Sequence, residues 1–291
     1  MSDGGHKKGS RRGELSLIPI PRSGEQRSPD RALRGGARSS SIRPFDDATP
    51  GFRCVEFVPQ PPFDRRLVFT DQDTSRAAVF RTLRQRLMDR EEARTILCSS
   101  PNPKEGKTTL AANLALAFSE LGRYRVLLLE ANFRAPALGA LFKFVPPVGL
   151  GGQIDHHHTH PQDPWVLIQI GPPDLYILAA ARTLCQRCNT ALPDDARFCG
   201  KCGAVLSGVS APPFLDAAGL NLAIRSFQRV FDYVIIDAPS ILVSGDVNLI
   251  QDAADAVVIA VRKGKTDERS LRKAVAQIAP APVVAVTMFE E

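Results

Sequence analysis

An α/β fold, with a mainly parallel sheet covered by helices on both faces, is predicted by two features of the sequence. Short and almost wholly apolar runs recur from Thr95 onward, the pattern of strands buried on both faces. Between them lie segments whose apolar residues repeat every three or four positions, so that strands and helices alternate. With 291 residues, 44% of them hydrophobic, the chain can build one sizeable domain with appendages.

The elements follow in order. Over Thr74 to Arg90, Ala77, Phe80, Leu83 and Leu87 form an apolar stripe with Arg81, Arg84 and Arg86 between them, which predicts an amphipathic helix. Thr95 to Ser99 is the first buried strand. A loop rich in Pro, Lys and Gly follows, and then a helical period over Leu110 to Leu121. Further strands are predicted at Arg125 to Leu129, Leu175 to Leu178, Tyr233 to Ile236 and Ala256 to Val261, with Val283 to Val286 as a sixth. Helices are expected near 215–230 and 267–278.

The net charge of +6 is unevenly placed. Residues up to Arg66 carry 13 basic and 8 acidic side chains, and the rest carries 24 and 23. The predicted folded part is close to neutral, and the positive charge belongs to an Arg-, Ser-, Gly- and Pro-rich tail expected to be disordered. A solvated tail is the favoured reading, and a nucleic-acid partner is not expected. No stretch approaches the ~20 apolar residues of a membrane span, and the basic N-terminus lacks the apolar centre of a secretory signal. The expected compartment is the cytoplasm.

The loop after the first strand reads Ser100-Pro101-Asn102-Pro103-Lys104-Glu105-Gly106-Lys107-Thr108-Thr109. It has the Gly-Lys-Thr core of a Walker A phosphate loop, with Pro101 at the position of that motif's first glycine, and it sits between strand and helix as the motif requires. Backbone N–H groups of Glu105 to Thr109 would form an anion nest at a helix N-terminus. Gly106 permits close approach, Lys107 would reach the β and γ phosphates, and the Thr108 hydroxyl would join a Mg²⁺ ion. Phe231 to Pro239 is an apolar strand ending in Asp237, where a Walker B carboxylate holds the metal or its water. The fold expected is therefore a P-loop NTPase, with ATP and Mg²⁺ as cofactors.

The same loop resembles the Walker A of bacterial tyrosine kinases of the capsule and exopolysaccharide type, the CpsD/CapB-like ATPases related to MinD and ParA. That family's loop reads Ser-Pro-x-Pro-x-Glu-Gly-Lys-Ser/Thr. Asp232 to Asp246 looks like its Walker B and the loop beyond. Leu127 to Pro136 looks like its Walker A′, normally Asp-x-Asp-x-Arg-x-Pro, with Glu130 at the first acid and Asn132 at the second. The match covers roughly residues 74–288 with one interruption, and it is specific because three motifs occur in the right order. It implies an ATP-dependent protein-tyrosine kinase acting in polysaccharide biosynthesis and export, with Lys107, Asp237 and Glu130 as catalytic residues. It also implies a membrane-embedded polysaccharide co-polymerase or export protein as partner, which would bring the chain to the inner face of the membrane.

This sequence departs from the family in three places. Asn132 can neither carry charge nor act as a base. Ala78, Arg81 and Arg84 stand where the family's oligomerisation helix has Glu-x-x-Arg-x-x-Arg, which leaves a homo-oligomer open. The C-terminal tyrosine cluster is missing, because the only tyrosines are Tyr124, Tyr176 and Tyr233. A ParA- or MinD-type partition ATPase would have its signature lysine at Asn102.

Four of the six cysteines form two C-x2-C pairs, Cys185/Cys188 and Cys199/Cys202. In a cytosolic chain this spacing argues for Zn²⁺ rather than disulfides, and four thiolates leave no open coordination position, so the site would be structural. The segment resembles a small zinc ribbon that would serve as a protein-binding knob. The expected organisation is a basic tail over 1–66, a P-loop domain in two parts over 67–182 and 208–291, and the ribbon inserted at 183–207. His156, His157, His158 and His160 are read as a solvated loop, not as ligands. Cys98, in an apolar run, is expected to be a small buried hydrophobe.

Two functions remain open. One is an active kinase that passes the γ-phosphoryl group of ATP to a tyrosine of another protein. The other is a catalytically weak, nucleotide-dependent binding module that presents its ribbon or tail to a partner.

Overall fold

The structure is a computed structural model that describes residues 15–19, 51–59, 61, 64, 67–68, 74–171, 175–180, 187–188, 198–205 and 217–290. The elements are β1 (Leu15–Pro19), β2 (Phe52–Phe57), α1 (Thr74–Met88), β3 (Thr95–Ser99), α2 (Lys107–Ser119), β4 (Val126–Glu130), α3 (Leu138–Phe142), α4 (Leu150–Thr159) and β5 (Trp165–Ile170). They continue with β6 (Leu175–Leu178), α5 (Ala217–Val230), β7 (Tyr233–Asp237), α6 (Asp246–Ile250), β8 (Ala256–Arg262), α7 (Glu268–Gln277) and β9 (Val283–Phe289). Among the described residues no helix is long and apolar enough to cross a membrane.

All described strands join one sheet in the order β1-β9-β8-β3-β7-β4-β6-β5-β2. Its middle is parallel, and only the β1/β9 and β5/β6 pairings are antiparallel. The apolar runs are strands with both faces covered. Ile96, Cys98, Val126, Leu128, Ile235 and Val258 face a core shared with α1 and α2. Their neighbours Leu97, Leu127, Leu129, Val234, Ile236 and Val257 face a second core shared with α4, α5 and α6. Successive side chains of a strand point to opposite faces, so two apolar layers require an unbroken apolar strand. Cys98 is wholly buried within the first of them.

The predicted helices and strands are present, with α2 beginning at Lys107 inside the phosphate loop rather than at Leu110. Two predictions need correction, and one strand was not predicted. Within the segment expected to be a disordered tail, Leu15–Pro19 pairs with β9 and Phe52–Phe57 pairs parallel to β5. The second is held by burial, since the Phe52 ring lies 6.1 Å from Phe227 and 5.7 Å from Phe231. A six-residue strand leaves little trace in the composition of a 66-residue segment; the rest of that segment up to residue 50 lies outside the described residues. Trp165–Ile170 is an edge-side strand that the apolar-run criterion passed over, its run interrupted by Gln169. Three of the four histidines are helical rather than in a loop. His156, His157 and His158 lie in the last turn of α4 and His160 caps it; the helix buries Leu150, Gln153 and Ile154, and His157 stacks on Trp165 with centroids 3.8 Å apart.

Candidate functional site

The phosphate loop leaves the C-terminal end of β3, which lies between β7 and β8 in the parallel part of the sheet. Open α/β sheets place their ligands outside such strand ends. Lys104 (φ 63°) and Gly106 (φ 101°) are both in the left-handed region, on either side of Glu105. That alternation turns successive N–H groups toward one point, which is how a backbone nest for anions is made. The Gly106 carbonyl already accepts from Leu110 N (2.8 Å), so α2 and the loop are one continuous piece of backbone.

Glu105 is wholly buried, and it ties the loop together rather than facing solvent. Its Oε2 accepts from Asn102 N (2.7 Å), and its Oε1 accepts from Asn102 Nδ2 (3.1 Å) and Thr266 Oγ1 (2.7 Å). The loop is also strapped to the segment after β7, because Ile241 N and Leu242 N donate to Ser100 O (2.9 Å) and Pro101 O (3.1 Å). Lys107, Thr108 and Thr109 open the first turn of α2.

Asp237, the last residue of β7, meets this turn across the strand ends. Thr108 Oγ1 donates to Asp237 Oδ2 at 2.7 Å. Asp237 Oδ1 is buried and accepts no hydrogen bond among the described residues. Burial pushes the Asp237 carboxyl up to about 6, against the pull of Lys107 and the Thr108 hydrogen bond. A hydroxyl and a carboxylate side by side, with one carboxylate oxygen unpartnered, are a donor set suited to Mg²⁺ or to one of its waters.

Glu130 pairs with Asp237 in the β4/β7 ladder, but its side chain is otherwise engaged. Oε1 accepts from Ala137 N (2.5 Å) and Leu138 N (2.8 Å) at the start of α3, and Oε2 accepts from Ala180 N (3.0 Å) just beyond β6. Desolvation, reinforced by the nearby Asp237 charge, raises its pKa to about 7. Both oxygens thus serve the backbone, and the residue holds together the segment after β4 and the exit of β6. Asn132 is buried and donates from Nδ2 to Ala135 O (2.9 Å). Arg134, exposed, lies 3.4 Å from Asp246 Oδ2. On α1, Arg81 and Arg84 both contact Glu120, and Arg84 also donates to Ala117 O, at the C-terminal end of α2. All three tyrosines lie in packed surroundings: Tyr176 and Tyr233 are buried, and Tyr124 packs edge-on against Tyr233 at 5.1 Å.

Of the four cysteines predicted to hold zinc, Cys185 lies outside the described residues. The thiol sulfurs of Cys188, Cys199 and Cys202 lie within 4.8 Å of one another, and Cys188 Sγ is 3.5 Å from Cys199 Sγ. Tetrahedral Zn–S bonds of ~2.3 Å place sulfurs ~3.8 Å apart, so this spacing fits the metal. The tight turn is shaped by Gly203 (φ 68°), whose N–H donates to Cys199 O (2.8 Å). Among the described residues, Cys199 is buried with Cys188, Cys202 and Ala204 packed against it.

Sequence reasoning missed Thr266, Lys265 and Arg262. They touch the phosphate loop from about 160 positions away, and nothing in the local pattern of either segment announces the contact.

Known proteins resemble both the sheet domain and the cysteine-bearing segment. Residues 184–206 match the zinc-ribbon domain family. Tyrosine-protein kinase CpsD of Streptococcus pneumoniae serotype 4 is 25% identical over 193 residues, 65% of this chain and 71% of the relative. Tyrosine-protein kinase YwqD of Bacillus subtilis is 26% identical over 216 residues, 72% of this chain and 77% of the relative. The succinoglycan biosynthesis transport protein ExoP of Rhizobium meliloti is 24% identical over 216 residues, although that stretch is only 24% of its length. Among solved structures, the kinase domain of Escherichia coli tyrosine kinase ETK has the same fold, with a TM-score of 0.57 at 16% identity, over 78% of this chain and 79% of that one. The homologues of this chain are therefore tyrosine-protein kinases, together with a polysaccharide biosynthesis transport protein, and the chain carries a zinc-ribbon sequence besides.

Proposed function

We propose that the chain binds Mg·ATP through Glu105 to Thr109 and Asp237, and that it acts as a tyrosine-kinase-like protein in exopolysaccharide biosynthesis and export. The observation that carries the nucleotide reading is the unpartnered Asp237 Oδ1 beside the Thr108 hydroxyl, at the N-terminus of α2. In this arrangement the backbone N–H groups of the nest and Lys107 receive phosphate oxygens, while Thr108 and Asp237 hold the metal. Bound Mg²⁺ would neutralise charge on the transferring phosphoryl group. The kinase part is supported by the relatives' names alone. The partner is proposed to be a membrane-embedded polysaccharide co-polymerase or export protein, with the chain on its cytoplasmic side.

A second reading, a nucleotide-dependent binding module, is favoured by Glu130, whose two oxygens are spent on three backbone amides, and by the uncharged Asn132. Neither offers a free carboxylate base. The packed tyrosines also make poor acceptors within the chain. Incubation with labelled ATP and Mg²⁺, with a Lys107→Ala control, separates the two. Phosphotyrosine on a substrate protein that vanishes in the control establishes the kinase. Binding with neither phosphotyrosine nor free phosphate establishes the module.

The zinc site is proposed to hold one Zn²⁺ through Cys185, Cys188, Cys199 and Cys202. With few apolar contacts around Cys199 among the described residues, the metal takes the place of a core. Chelation is expected to abolish amide-exchange protection at 198–205 and to leave the main thermal transition of the P-loop domain in place. Protection that survives complete removal of the metal would count against the site.

A further inference from the structure

We propose that the turn between β8 and α7, Arg262 to Asp267, is the outer brace of the phosphate loop, and that Thr266 is a positioning residue acting on bound nucleotide through Glu105. The proposal rests on the nucleotide reading above and adds residues that neither the Walker motifs nor the comparisons assign.

A nest turns its N–H groups inward, so the carbonyls of the same stretch face outward and need partners of their own. Here those partners are cations. Lys265 Nζ donates to Pro103 O (3.1 Å) and lies 3.5 Å from Lys104 O, and Arg262 Nη1 donates to Lys104 O (3.3 Å). Lys104 is the residue that most needs holding, since its φ of 63° is one that L side chains rarely adopt. Charged donors on the outward carbonyls keep the peptide planes of 103–105 in the orientation that aims the N–H groups at a phosphate.

The second contact concerns charge. Glu105 is a buried carboxylate in the residue next to Gly106, where bound phosphates would approach the backbone. Unless it is tied down on the far side, its charge opposes the ligand. Thr266 Oγ1 accepts from Arg262 N (2.9 Å) and donates to Glu105 Oε1 (2.7 Å), so the direction of its proton is set by the turn itself. The turn is rigid. Lys265 N and Thr266 N both donate to Arg262 O (3.1 and 2.9 Å), Lys263 N donates to Phe289 O (2.9 Å), and Asp267 caps α7 by accepting from Ser270 N (2.7 Å). Thr266 therefore fastens the Glu105 carboxylate to a fixed frame, directed away from the nest. Among the described residues, loss of its hydroxyl leaves the Glu105 carboxylate held by Asn102 alone, from N to Oε2 (2.7 Å) and from Nδ2 to Oε1 (3.1 Å), so that it can swing inward about that one residue. A ligand with more negative charge suffers more from that freedom, so ATP loses more than ADP.

The test measures affinities of the full chain for Mg·ATP and Mg·ADP by calorimetry, with a thermal melt of each nucleotide-free protein. Thr266→Val, which keeps the shape and removes the hydroxyl, is expected to weaken ATP roughly tenfold and ADP roughly threefold. Thr266→Ser, which keeps the hydroxyl, is expected to stay within about twofold of the natural chain. Lys265→Met, at an exposed position where folding is not at risk, is expected to weaken ATP by about threefold or more. Natural affinity for both nucleotides in Thr266→Val or in Lys265→Met, or a Thr266→Ser chain as impaired as Thr266→Val, would overturn the brace. A natural chain that binds neither nucleotide would overturn the nucleotide reading itself, and the brace with it.

Discussion

Asp237→Asn is expected to raise the melting temperature of the nucleotide-free protein at pH 8 and, in the same preparation, to abolish Mg²⁺-dependent ATP binding. The two effects have one cause. Asp237 is wholly buried, its Oδ1 has no partner among the described residues, and burial raises its pKa from 3.8 to about 6. Because the folded protein holds this proton more tightly than the unfolded chain does, the stabilisation is complete below the ordinary carboxylate value and is lost as pH rises through about 6. Glu130, raised from 4.5 to about 7, extends the window of loss to that pH. The two carboxyls repel each other, so their contributions do not simply add. Removing the Asp237 charge at pH 8 is then worth on the order of 1–3 kcal/mol. For a chain of this size each kcal/mol moves the melting midpoint by roughly 2–4 °C. An asparagine can still accept the Thr108 hydrogen bond, so local packing is kept. Since Mg²⁺ requires the ionised carboxylate, metal affinity of the natural protein is expected to rise as pH passes through about 6. A lower melting temperature for the variant at pH 8 would refute the account of the buried charge. Unchanged Mg²⁺-dependent ATP binding would refute the proposed metal role.

Gly106→Ala is expected to destabilise the protein and to cripple the phosphate loop together. The backbone φ of 101° lies in the left-handed region that L side chains rarely adopt, and holding a side chain there costs roughly 1–3 kcal/mol. The space is also taken, because an added Cβ would stand 2.9 Å from Cδ2 and 3.1 Å from Cε2 of Phe289. The ring belongs to β9, whose backbone is held by β8 on one side and β1 on the other, and it is half-buried against the first core, so relief of the contact requires the ring to shift. The expected result is a melting temperature lower by roughly 4–8 °C, with ATP affinity reduced by more than tenfold. The second loss follows because Gly106 directly precedes Lys107, and a shift in its φ re-aims the N–H groups of α2's first turn. Calorimetry and a thermal melt check both numbers. A variant that loses stability but binds ATP normally would show that the nest lies elsewhere.

The sequence by itself determined the sheet and the identity of the loop. Apolar strands such as Leu127 to Leu129 and Val257 to Val261 have no solvent-facing side, and that alone requires helices above and below. Gly-Lys-Thr between a strand and a helix, and cysteines paired at C-x2-C spacing, are likewise local facts, because the chemistry they serve needs residues a few positions apart. Edge elements were harder to read. β2 leaves Arg53, Val55 and Glu56 exposed and Phe52, Cys54 and Phe57 half-buried, so its burial pattern is too weak to stand out from the basic segment around it. How distant charges meet depends instead on the packing of the whole sheet. Glu130 stands at the position of the motif's first acid, and backbone amides from two separate segments occupy both of its oxygens. Glu105, a surface-type residue by composition, is buried because Thr266 and Asn102 receive it. A local motif can specify which groups a ligand needs. The partner that each carboxylate finds depends on strand order, which brings residues about 100 to 160 positions apart to within hydrogen-bonding distance.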